Sequence, residues 1–259
     1  MTESGNSSIK PITVMEMFEN TVSEVPNEEA LFFECEGKWK GITWYHYHKY
    51  TIYFAKALIS LGIEAFQTVN IMGFNSPEWF ISYLGGIFAC IPPVGIYPTN
   101  NPEISVLITE SSNCGCLVLD DILQYRKYEK DLKKLKNLKV IIFYCKLNES
   151  ELKSLINPYV SIYLWNDFLN LGKRSSLEMD LSYRVKMQKP GNCCNLIYTS
   201  GTTDIPKGVM LSHDNMTWTV KAIHNSYSNI LADRQRFVSF LPLSHIAGQI
   251  VDIFCMIFM

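Results

Sequence analysis

The chain has 259 residues, of which 47% are hydrophobic and 19% charged, and its formal net charge is -2. A chain this apolar is not intrinsically disordered, and one this close to neutral lacks the basic footprint that a nucleic-acid partner requires. Its 8 cysteines are too few for a disulfide scaffold at this length, and none lies in a Cys-x-x-Cys pair or at zinc-ligand spacing from a histidine.

Met1–Ser8 has neither a basic start nor an apolar centre, so no secretory signal is expected, and reduced buried thiols in a cytoplasmic protein are. Met15 to Val22 predicts a short amphipathic helix. Ala30–Glu34 and Trp39–Thr43 alternate around Glu36-Gly37-Lys38, the pattern of a β-hairpin. Thr43 is placed to cap a helix running to about Leu61, with Gly62 as its stop. Thr68–Met72 predicts a strand, and Ser76-Pro77-Glu78 a helix start with cap, first-turn proline and an acid for the dipole. Trp79 to Pro102 carries no charge and is long enough to span a bilayer, but Gly85-Gly86 and Pro92-Pro93 interrupt it. A helix, a break and a buried strand fit better than a membrane span.

Further strands are predicted at Pro93–Tyr97, Cys116–Leu119, Val140–Tyr144 and Val160–Leu164, with helices at Pro102–Ser111 and Ile122–Leu135. Arg126, Lys127, Lys130, Lys133 and Lys134 are expected on the solvated face of the second helix. This alternation predicts an α/β fold, a mainly parallel sheet with helices on both faces. Leu171–Gly191 is polar and charged and reads as a linker or surface excursion between two lobes. Strands at Asn195–Tyr198, Val209–Leu211 and Phe237–Leu241 follow, with a helix over Asp214–Leu231. Ile250–Met259 is an apolar run without cap, glycine or proline, expected to be exposed and prone to aggregate.

The chemistry is concentrated in one loop, Tyr198-Thr199-Ser200-Gly201-Thr202-Thr203-Asp204-Ile205-Pro206-Lys207-Gly208. It packs four Ser/Thr hydroxyls, two glycines and one lysine into eleven residues after an apolar strand. Small residues let backbone N–H groups approach phosphate oxygens, hydroxyls donate further bonds, and lysine adds a mobile point charge. An ordinary polar turn has a similar composition. It is not a Walker A loop, because Lys207 precedes Gly208 and a strand follows rather than a helix.

Tyr-Thr-Ser-Gly-Thr-Thr-x-x-Pro-Lys-Gly-Val resembles the phosphate-binding signature of the adenylate-forming superfamily, which includes acyl-CoA synthetases and luciferases. Leu241-Pro242-Leu243-Ser244-His245-Ile246-Ala247 resembles that family's second core motif. Gly95-Ile96-Tyr97-Pro98-Thr99-Asn100-Asn101-Pro102-Glu103 resembles an upstream segment of long-chain acyl-CoA synthetases. Val209–Asn215 and Leu243–Ala247 look most like the bubblegum type. The resemblance implies the N-terminal part of the large domain of such an enzyme. Residues 1–29 would be a helix and lead-in, 30–170 the first α/β lobe of the AMP-binding domain, 171–191 the linker, and 192–259 the start of the second lobe.

The implied reaction is a two-step ligation. A long-chain fatty acid carboxylate attacks the α-phosphorus of ATP, and coenzyme A then displaces AMP to form a thioester. Thr199, Ser200, Gly201, Thr202, Thr203, Asp204 and Lys207 would lie on the ATP phosphates, and His245 near the acyl carboxylate where the lobes meet. The physical logic is that fixed donors aimed at the leaving pyrophosphate stabilise the charge it gains. His213 has a weaker case and is as readily the residue before a helix capped by Ser212 or Asp214. His46 and His48, two apart on a helix, do not share a face and are assigned no role. Cys193 and Cys194 are read as packing.

Two departures from the family qualify the expectation. Asp204 stands where the family has glycine, and a carboxylate beside phosphate is repulsive. The family's adenine- and Mg²⁺-binding Tyr-Gly-x-Ser/Thr-Glu, its Thr-Gly-Asp and its catalytic lysine are not in the sequence, so a truncated ligase without full adenylation is expected. The alternatives are a non-catalytic remnant or interaction protein, and a membrane protein spanning at Trp79–Tyr97. Peripheral attachment to the endoplasmic reticulum or other internal membranes is the variant of the cytoplasmic location that greasy substrates suggest.

Overall fold

The computed structural model of the chain describes residues 8–155, 157–199, 205–227 and 236–259. Helix α1 (Val14–Glu24) opens on a capping box: the Thr13 hydroxyl accepts from the Glu16 N–H, and the Glu16 carboxylate accepts from the Thr13 N–H. Strands β1 (Glu29–Cys35) and β2 (Lys38–Thr43) form the expected antiparallel hairpin, turning through Glu36 and Gly37 at φ 55° and 77°. Thr43 caps α2 (Trp44–Ser60), and Gly62 at φ 70° lets the chain turn out of it. Strand β3 (Thr68–Met72) leads to α3 (Pro77–Phe88), which Ser76 caps.

Then come β4 (Pro93–Ile96), α4 (Pro102–Ser111) capped by Asn101, β5 (Cys114–Leu119), α5 (Ile122–Arg126) and β6 (Val140–Phe143). The short α6 (Glu149–Ser154), β7 (Ser161–Leu164), α7 (Trp165–Arg174) and α8 (Glu178–Met187) follow. Strands β8 (Cys193–Thr199) and β9 (Lys207–Ser212) precede α9 (His213–Tyr227). The chain ends in α10 (Ile246–Gly248), a π-helical turn Gln249–Cys255, and α11 (Met256–Phe258).

Seven strands make one sheet in the order β7-β6-β5-β3-β4-β8-β9, all parallel except β9, which runs against β8. Side chains alternate across it. Val69, Ile71, Cys116 and Val118 enter one buried cluster with α2 and α3, whereas Leu117, Leu119, Ile141 and Phe143 enter the other, so both faces are covered as expected. Because β4 and β8 are parallel neighbours, with Val94 opposite Leu196, Tyr97 and Thr199 leave the sheet at the same edge. Loops at the carboxyl ends of parallel strands are where such sheets hold ligands.

The local structure departs from expectation in several places. The helix expected over Ile122–Leu135 ends at Arg126. Successive turns replace it, and they still bury Tyr128, Leu132, Leu135 and Leu138. Lys127 is not on a solvated face: its ammonium donates to the carbonyls of Pro98 and Asn100. The segment 171–191, expected as a linker or surface excursion, contains the end of α7 and all of α8. Its polar groups reach core carbonyls, with Arg184 donating to Ala89 at 3.0 Å and Ile63 at 2.8 Å, and β8 beyond it joins the same sheet.

Phe237–Leu241 forms no strand. An alternating run needs a ladder partner, and it has none among the described residues. The closing apolar run is largely packed, not exposed: Ile253, Phe254 and Ile257 are at most 1% exposed within the first cluster, and the Thr21 hydroxyl donates to the Ile257 carbonyl. Only Val251 and Met259 in that run face solvent substantially. Among the described residues no helix is long and apolar enough to cross a membrane, and α3 has 12 residues, which leaves the spanning alternative without a helix.

Candidate functional site

Ser200, Gly201, Thr202, Thr203 and Asp204 lie outside the described residues. The two ends of their loop are described. Thr199 closes β8, Lys207 opens β9, and the two are direct partners across the antiparallel ladder. Both are exposed, so the loop springs from a closed hairpin base with a lysine on one leg and a hydroxyl on the other. Tyr198 braces this base, its hydroxyl 2.9 Å from Ser111 Oγ and its ring against Gly208.

The Leu241–Ala247 segment lies against the next strand in the sheet. Gly95 of β4 permits this: a Cβ there would sit 2.6 Å from Ser244 Cα. Leu243 and Ser244 are buried, and His245, the N-cap of α10, is exposed. His245 Nδ1 accepts from the Ala247 N–H at 3.1 Å. With Nδ1 accepting, Nε2 is the ring nitrogen left to donate.

Two side-chain amides hold the approach to His245. Asn75, between β3 and α3, donates from Nδ2 to Ser239 Oγ and the Leu241 carbonyl, each at 2.8 Å, and to the Ser239 carbonyl at 3.3 Å. Its Oδ1 accepts from the Leu243 N–H at 3.2 Å. Gln249 is wholly buried and donates to the Leu243 carbonyl at 2.9 Å. Its Oε1 accepts from Asn195 of β8 at 2.7 Å and from the Tyr83 hydroxyl at 3.1 Å. The sequence reading passed over both residues. A lone glutamine in the apolar run before Ile250–Met259 was the available signal, since a buried amide must be satisfied.

The upstream segment is also fixed. Gly95 and Ile96 end β4, Asn101 caps α4, and Lys127 fastens the carbonyls of the intervening turn. The three segments quoted above thus meet around β4: one is its continuation, one rests on Gly95, and one extends its neighbour β8.

The other histidines are structural in their surroundings. His213 is fully buried, its Nδ1 accepting from the Val14 N–H at 3.2 Å and its Nε2 donating to Gln188 Oε1 at 3.1 Å. Burial pushes its pKa down to about 4. Ser212 and Asn215 exchange hydrogen bonds at the start of α9, so Ser212 is the cap. His46 meets the Thr43 hydroxyl, and His48 packs between Phe18 and Phe88. Cys194 is buried within β8, and all 8 cysteines are free. Among the described residues no three His, Cys, Asp or Glu side chains converge as a metal-binding group.

The chain is 41% identical over 256 residues to the long-chain-fatty-acid–CoA ligase ACSBG2 of Gallus gallus, covering 98% of this chain and 32% of that protein. It is 39% identical to the ligase of the same name from Xenopus laevis, covering 97% and 33%. It therefore spans about a third of the length of these curated relatives. Among solved structures, it superposes on the fatty acyl-adenylate ligase of L. pneumophila, captured with acyl adenylate and pyrophosphate. The TM-score is 0.69 at 19% identity, covering 95% of this chain and 38% of that one, a likeness of fold. The family model described as AMP-binding enzyme matches residues 18–259, and the chain belongs to that family.

Proposed function

We propose that the chain carries the phosphate-binding and carboxylate-facing parts of a long-chain fatty acid–CoA ligase. The carrying observation is that the Thr199–Lys207 hairpin base and the His245 segment both flank β4. In the first step a carboxylate oxygen of the fatty acid forms a bond to the α-phosphorus of ATP. The bond from that phosphorus to the bridging oxygen breaks, and pyrophosphate leaves. In the second, the sulfur of coenzyme A attacks the acyl carbon and AMP leaves. Thr199, Ser200, Gly201, Thr202 and Thr203 donate to the phosphates through backbone and hydroxyl groups. Lys207 neutralises charge on the β- and γ-phosphates. His245, with Nε2 left to donate, orients the attacking carboxylate. The names of the two curated relatives support the substrate class. This reading places the protein in the cytoplasm, free or peripheral on an internal membrane such as the endoplasmic reticulum.

Asp204 supports the second reading, a non-catalytic relative that keeps part of the AMP-binding fold. A carboxylate about 4 Å from a phosphate charge is repelled by roughly 4 kcal/mol at an effective dielectric near 20, less with screening. Asp204→Gly is expected to tighten ATP by about tenfold or more. Titrating both proteins with ATP checks this, and equal affinities would sink it. Incubation with palmitate, ATP, Mg²⁺ and coenzyme A is expected to give no palmitoyl-CoA, because the family's catalytic lysine is not in this sequence. Substantial turnover by this chain alone would refute that expectation.

A further inference from the structure

Leu243 is two residues before His245, and both of its backbone polar groups end on side chains. Its N–H donates to Asn75 Oδ1 at 3.2 Å, and its carbonyl accepts from Gln249 Nε2 at 2.9 Å. Leu243 is 1% exposed, so neither group has water as a substitute. The segment has no strand partner among the described residues, and regular pairing does not fix it. It is held instead by these two amides and by the packing of Ser244 on Gly95. The two amides come from different places. Asn75 stands at the carboxyl end of β3 beside the capped start of α3, and Gln249 lies in the π-helical turn that follows His245. Gln249 is also bonded to Asn195, on the strand that ends at Thr199.

We infer that Asn75 and Gln249 are positioning residues that clamp Leu243 from both sides and so set where His245 Nε2 points relative to the Thr199–Lys207 hairpin. This rests on the ligase reading for its functional consequence, but not for its geometry. Each amide uses both ends. Its oxygen accepts while its NH2 donates, a combination that a carboxylate of the same shape cannot supply when ionised. A clamp of this kind fixes a catalytic segment to within the narrow tolerance that reacting groups demand. The hydroxyl of Ser239 continues the network, donating to Asp252 at 2.7 Å while receiving Asn75.

The test uses Asn75→Asp and Gln249→Glu, each nearly isosteric with the residue it replaces. Asn75→Asp keeps the acceptor for the Leu243 N–H and loses the donors to Ser239 and Leu241. Gln249→Glu keeps the acceptors for Tyr83 and Asn195 and loses the donor to Leu243. Two readouts are taken on the folded proteins, well below their melting midpoints. The first is hydrogen exchange of the Leu243 amide with the nuclear magnetic resonance shifts of the His245 ring, which reads placement without ligand. The second is affinity for a palmitoyl-adenylate analogue carrying a sulfamate in place of phosphate.

The expected result is faster exchange at Leu243 and a displaced His245 resonance in both variants. Affinity for the analogue is expected to fall about tenfold, as for loss of one buried hydrogen bond. Unchanged exchange and unchanged His245 shifts in either folded variant overturn the clamp. A moved His245 with undiminished affinity overturns its functional role. Failure of the wild-type chain to bind the analogue overturns the carboxylate-facing role of His245 in this chain, and the first readout then decides the clamp alone. Should one variant fail to fold, the other, on a different element, carries the same test.

Discussion

Gly95→Val is expected to drive the His245 segment off β4. Any Cβ at this position meets Ser244 Cα at 2.6 Å, Ser244 Cβ at 3.2 Å and the Leu243 carbonyl oxygen at 3.4 Å. Two of these three are backbone atoms, which cannot rotate away, and Leu243 is pinned by two amides. The segment must shift as a unit or β4 must bend. Overpacking of this kind costs about 1–3 kcal/mol. On the proposed role of His245, affinity for the palmitoyl-adenylate analogue should fall as well, because the orientation of a carboxylate tolerates little displacement. Urea midpoints for Gly95→Val and for Gly191→Ala make the comparison. Gly191 has no atom within 4 Å of a built Cβ and φ in the ordinary region, so its variant should match wild type. A Gly95→Val chain as stable as wild type, with the His245 ring resonance unmoved, would refute the close-packing account.

Acid is expected to weaken the fold through His213. The buried ring is held neutral, with its pKa down at about 4 against the ordinary 6.5. Between those values the unfolded chain takes up a proton that the folded chain does not, so stability falls as pH falls from about 6.5 to about 4. Above that window the contribution is constant. The span corresponds to about 3 kcal/mol. Burial also raises the carboxyls of Glu19, Asp120 and Asp252. Those groups act with the opposite sign, favouring the fold as pH falls through their range, so the total profile mixes both.

Comparison with His213→Gln separates them. Glutamine can accept from Val14 and donate to Gln188 but does not titrate. The variant should cost about 1–3 kcal/mol at neutral pH through imperfect hydrogen bonding. Its deficit relative to wild type should shrink toward pH 4. A deficit independent of pH would mean that His213 is not held neutral by the fold.

The element boundaries that chain chemistry controls were legible. Thr43, Ser76 and Asn101 each accept a hydrogen bond from the backbone of a helix's first turn, which needs only a short polar side chain at the right place. β3 was legible because five consecutive residues are buried on both faces and no breaker interrupts them. The helix through α8 was not. Its inward positions include Arg184 and Gln188, whose charges and amides satisfy core carbonyls, and sequence periodicity counts such residues as solvent-facing. Lys127 misled for the same reason, its ammonium being spent on two carbonyls of a turn 27 and 29 residues away.

The composition, the turn chemistry and the alternation of patterns determined by themselves that this is an α/β chain with a loop rich in serine, threonine and glycine after a buried strand. Those features are local, and each follows from side-chain size, polarity or dihedral preference over a few residues. Only the tertiary structure decided that the strands on both sides of 171–191 share one sheet and that Gly95 receives Ser244. It alone decided that Asn75 and Gln249 hold Leu243, that His213 is a buried pin, and that the final apolar run packs within the chain. Each of these joins residues far apart in sequence or turns a polar side chain inward, and the free energy of such contacts depends on which partner arrives, which no single stretch of chain encodes.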